Sequence, residues 1–493
     1  MIKNIRFNTY LFLSVFIALC ITFSYYSFTF FIGNHDWDWV KGTSQVLSLS
    51  TGLFEARFGK FILNVLLFSG HIFPILNNLI SFLLLSIGAV LTCKYLNITQ
   101  TFNAVIVSFF ITLSPYILGW LYFLINILGN FSAVVFVPSA LLLIESKNKI
   151  YAKPCAILLL ILALGVYPST AEMMFILFAT KNILTPSKSY KQQLVNFSYI
   201  ILSLIVFKLL IIILSKLNIV YQDHYNMQTN SIFYILTHII TFIKLFFSQL
   251  FITLPFFPIS LKLTGALIVL LAFVSSFKNL NNIIQWFIIF FATIFTSVLT
   301  THIDDTAFMP RVNFYGLNFL YASSIAILLS KPNKYKNLGF ALAILYILLS
   351  INQNFYAQKV WNLGLRAEIN LTQRISKQIE DNNPKTPLIP VFTDELSLRY
   401  RYYNTPFQKN SPYLLERSFI VRHIPSGMYN FYSINQMFYG YSQIRELTPN
   451  IYSYLENALH PWPHKESIYQ DDTYAIIMLT KQGIKAIQSQ LPK

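Results

Sequence analysis

The sequence predicts a polytopic α-helical membrane protein that ends in a small mixed α/β domain. Apolar residues make up 55% of the 493-residue chain and charged residues only 11%, whereas a soluble domain carries about 25% charged residues. Long stretches, among them 10–32, 75–91 and 266–277, contain no acidic or basic side chain. Several of them approach the roughly 20 apolar residues that cross the hydrocarbon core of a bilayer. A soluble core does not bury so many stretches of this kind.

Hydropathy predicts about eleven spans, near 9–32, 74–92, 102–119, 128–145, 154–167, 169–181, 197–215, 259–276, 282–300, 313–330 and 336–352. We interpret the first as a retained anchor, because its apolar stretch is longer than the roughly 7–15 residues of a signal peptide. The pair at 154–181 is divided by Tyr167-Pro168, which fits either a tight turn or a kink in one helix. Two other stretches, 54–70 and 230–256, mix charged and apolar residues, which is typical of interfacial or re-entrant helices.

The positions of Lys and Arg in the short loops predict the orientation, because cytoplasmic loops are enriched in both. With a cytoplasmic N-terminus, almost every loop on that side is basic. The lysines concerned are Lys94, Lys147, Lys149, Lys153, Lys181, Lys188, Lys191, Lys278, Lys331, Lys334 and Lys336. The outer loops at 33–73, 216–258 and 301–312 hold the acids Asp36, Asp38, Glu55, Asp223, Asp304 and Asp305. The net charge of +17 is therefore mainly topogenic, and no nucleic-acid partner is expected.

The chain changes character after residue 352. The segment 353–493 is polar, rich in Tyr and interrupted by Pro. It predicts a short helix at 372–381 and strands at 387–393 and 473–479. About 140 residues suffice for an independent core, so we expect a membrane module at 1–352 and an outer domain at 353–493.

The first outer loop concentrates residues that can carry chemistry. Asp36 and Asp38 alternate with two Trp residues directly after the first span, and Glu55, Arg57 and Lys60 follow in the same loop. Such a group supplies a general base, a phosphate clamp and ligands for a divalent cation, which is a candidate cofactor. The structural alternative is a solvated loop whose Trp residues anchor at the membrane interface.

Two later outer loops carry smaller polar clusters. His302, Asp304 and Asp305 precede Arg311 in the loop 301–312. The structural alternative is that the two acids form ion pairs with Arg311 and have no role in chemistry. The remaining cluster consists of Asp223 and His224. A histidine in a loop is more often solvated than catalytic, so these residues are predicted at most to support the site.

Two charged residues lie inside predicted spans. Glu172 and Lys208 are costly in hydrocarbon and are expected to face a cavity or a partner. Lys208 lies near the middle of its span, whereas Glu172 is expected near the outer end, close to Tyr167.

Several enzyme classes are disfavoured by missing motifs. The sequence contains no Walker A motif, dinucleotide-binding glycine pattern, HExxH or GxSxG. A nucleotide-driven machine and a transferase with a soluble nucleotide-sugar domain are therefore not expected. Outside the cytoplasm a transferase needs a donor that enters the membrane, and a polyprenyl-phosphate sugar fits this requirement.

The order of these parts resembles the serotype-converting O-antigen glucosyltransferases of enteric bacteria and their phages, within the GT-C superfamily. The shared parts are the N-terminal anchor, Asp36-Trp-Asp38-Trp, Glu55-x-Arg57-x-Gly59-Lys60, many spans and an outer C-terminal domain. The layout of the whole chain is covered, whereas the specific motif is confined to 34–60. The resemblance implies a GT-C-like multi-pass enzyme of the bacterial inner membrane that modifies lipopolysaccharide. It would move glucose from undecaprenyl-phosphate glucose to a sugar of the O-antigen repeat in the periplasm.

The resemblance also implies roles for the acidic and basic residues. Asp36 or Asp38 would be the general base, with Glu55 as a further candidate. The acceptor hydroxyl would attack the anomeric carbon opposite the phosphate and invert it. Charge-assisted contacts would stabilise the departing lipid phosphate, and the candidates for them are Arg57, Lys60 and Arg311. Metal dependence is left open.

Three other functions fit parts of the sequence. An O-antigen polymerase or ligase shares the many spans, but its outer loops are expected to be dominated by Arg and His. A lipid-linked sugar flippase or transporter is expected to carry polar residues throughout its spans and an internal repeat, and no repeat is visible. A membrane anchor for the C-terminal domain would leave the acidic clusters unexplained.

Overall fold

The computed structural model of the protein describes residues 2–25, 58–59, 62–63, 73–121, 124–146, 151–185, 189–217, 219, 258–277, 280–300, 314–330, 334–382, 389–392, 448–461, 463–470, 474–478, 481, 484–485 and 488. These residues fall into two compact units. The first contains the described residues up to Tyr356, and the second those from Ala357 onward.

The first unit is built from helices. In chain order they are α1 (Ile2–Thr22), α2 (Pro74–Tyr95), α3 (Thr101–Thr112), α4 (Leu118–Leu121), α5 (Leu124–Glu145), α6 (Ala152–Val166), α7 (Thr170–Leu184), α8 (Tyr190–Lys216), α9 (Ile259–Ser276), α10 (Leu280–Thr300), α11 (Phe319–Ser330) and α12 (Lys336–Asn382), which continues into the second unit. A 3-10 turn, Pro115–Ile117, joins α3 to α4, and a π-helix, Phe314–Asn318, precedes α11.

Many of these helices have the length and composition of membrane spans. In the described part of the chain, six qualify: Ile75–Tyr95, Thr101–Leu121, Ile127–Glu145, Tyr190–Lys216, Ile259–Ser276 and Lys336–Lys359. Shorter apolar helices cover Phe7–Thr22, Ala152–Val166, Leu280–Thr293 and Phe314–Ser330. The predicted class, a helical protein with several candidate spans, is confirmed. The count of about eleven stays a prediction, and the interfacial stretches at 54–70 and 230–256 lie almost entirely outside the described residues.

The segment around Pro168 is a turn between two helices. Helix α6 ends at Val166 and α7 begins at Thr170. Tyr167 has extended backbone, with φ −157° and ψ 124°, as expected for a residue before proline. The Thr170 amide donates to the Tyr167 carbonyl at 3.0 Å. We call residues 152–184 the short hairpin, because each helix has 15 residues and is therefore only about 22 Å long.

Helix α3 lies inside the bundle, and amide side chains from other helices satisfy the carbonyls near its end. Asn318 Nδ2 donates to the Ile111 carbonyl at 2.8 Å, and Asn354 Nδ2 donates to the Leu113 carbonyl at 2.8 Å. Backbone groups in a membrane have no water to replace such partners. These bonds therefore fix the π-helix and α12 against the end of α3.

Lysines gather where several helices end on one side of the bundle. Lys181 Nζ donates to the Tyr95 carbonyl and lies 4.0 Å from Glu145 Oε2, which brings together the ends of α7, α2 and α5. Lys153 Nζ donates to three carbonyls at the end of α5, those of Leu143, Ile144 and Ser146. A cation at a helix C-terminus interacts favourably with the helix dipole. We call this side the lysine end. Lys94, Lys153 and Lys181, all assigned to the cytoplasm from the sequence, belong to the same helix ends.

The second unit contains a small mixed sheet. β1 (Ile389–Phe392) pairs in parallel with β3 (Tyr474–Ile477), and β2 (Ile468–Gln470) pairs with β3 in antiparallel orientation, giving the order β1-β3-β2. Helix α13 (Pro449–Asn457) packs Ile451 and Leu455 against Ile476 and Met478 in a small apolar core.

Sequence predictions for the second unit have different outcomes. The strands expected at 387–393 and 473–479 are confirmed as β1 and β3. The short helix expected at 372–381 is wrong in extent, because these residues form the end of the 47-residue helix α12. Hydropathy predicts the end of the last span near residue 352, where the sequence becomes polar. The helix nevertheless continues past this point, because its backbone hydrogen bonds do not depend on apolar side chains.

Candidate functional site

The candidate site residues predicted from the sequence lie outside the described residues. They are Asp36, Asp38, Glu55, Arg57, Lys60, Asp223, His224, His302, Asp304, Asp305 and Arg311. Their roles, and the divalent cation considered for the first outer loop, therefore stay predictions. The described residues do include Phe58 and Gly59, which stand between Arg57 and Lys60 in the sequence.

Phe58 and Gly59 pack closely against the end of α6. A Cβ atom built on Gly59 would lie 2.5 Å from the Leu162 carbonyl oxygen and 2.9 Å from the Val166 nitrogen. A Cβ on Gly165 would in turn lie 2.5 Å from two ring carbons of Phe58. Both glycines are therefore required by close approach of the chain. This contact holds the middle of the sequence Arg57-Phe58-Gly59-Lys60 on the tip of the short hairpin.

Helix α8 contributes the other side of this contact. The Phe58 and Phe207 rings are tilted, with centroids 6.1 Å apart, and both side chains are buried. The next residue, Lys208, is exposed on the outward face of α8. A lysine there is costly in hydrocarbon unless its long stem carries the ammonium to a polar layer or to a charged partner. Lys208 therefore directly follows Phe207, which packs on Phe58, and its own side chain is exposed at the surface of the bundle.

Glu172 is fully buried in the first turn of α7. The positive end of a helix dipole favours a carboxylate in this position. Gly316 of the π-helix lies so close that a Cβ atom there would overlap Glu172 Oε2. The Tyr315 hydroxyl is also within electrostatic range of Glu172 and of Tyr167. As expected from the sequence, this acid lies near Tyr167 instead of facing hydrocarbon.

Aromatic residues with polar tips complete the surroundings of the hairpin. The Trp120 and Tyr167 rings meet edge to face, with centroids 5.0 Å apart. Tyr315 donates from its hydroxyl to the Asn130 carbonyl at 2.7 Å. We call the group formed by Phe58, Gly59, Trp120, Tyr167, Glu172, Tyr315 and Gly316 the hairpin cluster. It joins α4, α6, α7 and the π-helix at the end of the short hairpin away from the lysine end.

The hairpin cluster combines a buried carboxylate with phenol groups and tightly packed backbone. A carboxylate in an apolar bundle positions cations or hydrogen-bond donors, and π-helical turns are frequent at functional sites. The sequence singled out Glu172 but not Trp120, Tyr315 or Gly316. Tyr315 and Gly316 look like ordinary residues of the apolar span predicted at 313–330, and Trp120 directly follows the one predicted at 102–119. Their shared position depends on contacts between distant parts of the chain, which leave no local pattern.

Comparison with protein families finds one match, which covers residues 42–252 and has the description Glucosyl transferase GtrII. Comparisons with curated proteins and with solved structures find no match. The matched residues include Phe58 and Gly59, the short hairpin and α8, together with the candidates Glu55, Arg57, Lys60, Asp223 and His224. The family implies glycosyltransferase activity, with a sugar donor and an acceptor. Over residues 42–252 the chain thus matches the GtrII glucosyltransferase family, which confirms the resemblance to serotype-converting glucosyltransferases.

Proposed function

We propose that the protein transfers glucose from undecaprenyl-phosphate glucose to a sugar of the O-antigen repeat, at the periplasmic face of the bacterial inner membrane. One observation carries the proposal. The segment that matches the glucosyltransferase family contains Glu55, Arg57 and Lys60, and the two residues inside this motif, Phe58 and Gly59, are fixed against the short hairpin. Rigid support of this kind is what an active-site loop needs to hold reacting groups in register.

In the proposed reaction a carboxylate removes the proton of the acceptor hydroxyl. The acceptor oxygen then forms a bond to the anomeric carbon as the bond to the lipid phosphate breaks on the opposite face. A β-linked donor gives an α-linked product. Glu55 lies within the family match, and Asp36 and Asp38 precede it, so all three are tested as the base.

Positive charge is needed where the lipid phosphate departs. Arg57, Lys60 and Arg311 are proposed for this role, since charge-assisted hydrogen bonds to phosphate are strong. Lys208 is proposed to attract the donor phosphate on its way from the bilayer, because it is exposed next to Phe207. His302, Asp304, Asp305, Asp223 and His224 are proposed to support the site.

The proposed topology follows from the lysines. The lysine end would face the cytoplasm, in keeping with the enrichment of basic residues there. The hairpin cluster, on the opposite side of the bundle, would then face the periplasm. The module 1–352 would hold the donor in the bilayer, and 353–493 would form a periplasmic domain near the acceptor polysaccharide.

The experiment compares Asp36→Asn, Asp38→Asn and Glu55→Gln with the wild type in a reconstituted assay. Purified protein in nanodiscs receives radiolabelled undecaprenyl-phosphate glucose and O-antigen acceptor, and product linkage is determined. Loss of a general base should reduce kcat about 10²–10⁴-fold. Glu456→Gln, an exposed acid of α13, serves as the matched control and should keep the wild-type rate.

Two results would contradict the proposal. Full activity in all three carboxylate variants would mean that none of these acids is the base. Movement of the lipid-linked sugar across the membrane without product formation would instead indicate a transporter.

A further inference from the structure

The second unit contains a group of side chains with the donor types of a metal site. His460, His464 and Glu466 are exposed, and one ligand atom from each lies within 4.8 Å of the others. The two imidazole rings are stacked with centroids 4.3 Å apart. His464 Nδ1 lies 3.8 Å from Glu466 Oε2. Imidazole and carboxylate donors together suit Zn²⁺ and related divalent ions.

The backbone of this group is held in place by hydrogen bonds. The His464 amide donates to the Pro461 carbonyl at 3.2 Å, and the Ser467 amide donates to the His464 carbonyl at 3.0 Å. The Tyr454 hydroxyl donates to the Glu466 carbonyl at 2.9 Å. The turn is therefore fixed before any ligand arrives.

The spacing of the histidines also fits metal binding. His460 and His464 are separated by Pro461, Trp462 and Pro463, which matches the His-x3-His spacing found among zinc ligands. Each proline fixes its own φ angle, so less chain entropy is lost when the two imidazoles are held together. In a tetrahedral zinc site, ligand atoms lie about 3.4 Å apart. The ligand atoms of the three exposed side chains lie within 4.8 Å of one another, so they need to approach by at most about 1.4 Å.

We propose that His460, His464 and Glu466 bind one divalent transition-metal ion of the Zn²⁺ class. The ion takes three protein ligands and leaves a coordination position for water. His460 follows the end of α13 and Glu466 precedes β2, so the ion links the helix to the sheet. The proposed ligands all belong to the second unit, and the proposed glucosyl transfer does not require the ion.

The test uses the full-length protein without a polyhistidine tag, stripped with a chelator and titrated with Zn²⁺ by calorimetry. We expect one site per chain that Mg²⁺ does not occupy. His460→Ala and His464→Ala should each weaken binding at least about 100-fold, because even loss of a residue that only supports a ligand costs 10–100-fold. Lys465→Ala, which changes an exposed neighbour without removing a ligand, should bind Zn²⁺ as the wild type does.

Co²⁺ absorption provides the second measurement, since it reports coordination geometry directly. The wild type and Lys465→Ala should show the intense visible bands of low-coordinate Co²⁺, and both histidine variants should lose them. Wild-type binding in His460→Ala and His464→Ala would assign the ion to other residues and overturn the proposal. Wild-type protein that binds Zn²⁺ no more tightly than His464→Ala would overturn it as well. Circular dichroism confirms folding, which exposed substitutions should preserve.

Discussion

Replacing Gly59 by alanine tests whether the packing of Gly59 on α6 of the short hairpin positions the proposed active site. The new Cβ would lie 2.5 Å from the Leu162 carbonyl oxygen, whereas ordinary contacts begin at 3.4 Å. Because the opposing atoms belong to the α6 backbone, which cannot rotate away, the segment around Gly59 has to move by about 0.9 Å. A displacement of about 1 Å can cost about 100-fold in rate even when the change is far from the chemistry. We therefore expect kcat/KM to fall between 10-fold and 100-fold.

The assay is the initial rate of glucosyl transfer in nanodiscs, normalised to folded protein. Gly339→Ala provides the matched control. The three atoms nearest to its Cβ would belong to the flexible Leu328 side chain, the nearest being Cδ1 at 3.1 Å, and alanine favours a helix over glycine by up to about 1 kcal/mol. This control should retain wild-type activity and stability. Unchanged kinetics and thermal stability in Gly59→Ala would refute the idea that this contact holds Arg57 and Lys60 in place.

A second pair of variants distinguishes positioning from general instability. Gly165→Ala would push against the Phe58 ring, whose nearest carbons would lie 2.5 Å from the new Cβ. Phe58→Leu removes these outer ring carbons. The double variant should therefore recover much of the activity that Gly165→Ala loses. An additive loss in the double variant would show that the two residues act independently.

Three other predictions concern separate features. Lys208→Met should raise KM for the lipid-linked donor at least about 10-fold, because a charge-assisted hydrogen bond contributes about 1.5–3 kcal/mol, whereas Lys216→Met at the end of α8 should not. Equal KM values in the wild type and Lys208→Met would show that Lys208 does not bind the donor. Gly316→Ala should lower the thermal midpoint through overpacking of about 1–3 kcal/mol against the buried carboxylate of α7, and an unchanged midpoint would contradict that contact. In a cysteine-free background, a cysteine at the exposed position of Ser453 (Ser453→Cys) should react with an impermeant maleimide in cells whose outer membrane alone is permeabilised. Tyr151→Cys, which is also exposed, should react only after the cells are lysed. The reverse pattern would mean that the proposed orientation in the membrane is wrong.

Hydropathy predicted the helices well, because long apolar segments must become helices to satisfy their backbone in a membrane. It could not resolve Tyr167-Pro168, where a turn and a kink share the same composition, and the structure shows the turn. It also ended α12 too early, since hydropathy measures solvent preference and the helix continues as a polar one to Asn382.

The candidate site was less accessible to prediction. Glu172 attracted notice because a carboxylate is rare in an apolar span. The contact between Glu172 and Gly316 joins residues far apart in the sequence, and no periodic pattern reports such a pair. The residues of the outer loops were predicted from their charge and from family resemblance, and Asp36→Asn, Asp38→Asn and Glu55→Gln test their roles.

The length of the short hairpin has a consequence for the bilayer. If α6 and α7 span it, their length of about 22 Å is less than the hydrocarbon thickness of about 30 Å. Such hydrophobic mismatch is met by thinning of the nearby leaflet or by moving polar groups inward. Thinning brings the phosphate layer closer to the midplane beside Tyr167 and Glu172. A lipid-anchored substrate would then reach these residues while its chain stays dissolved among the acyl tails.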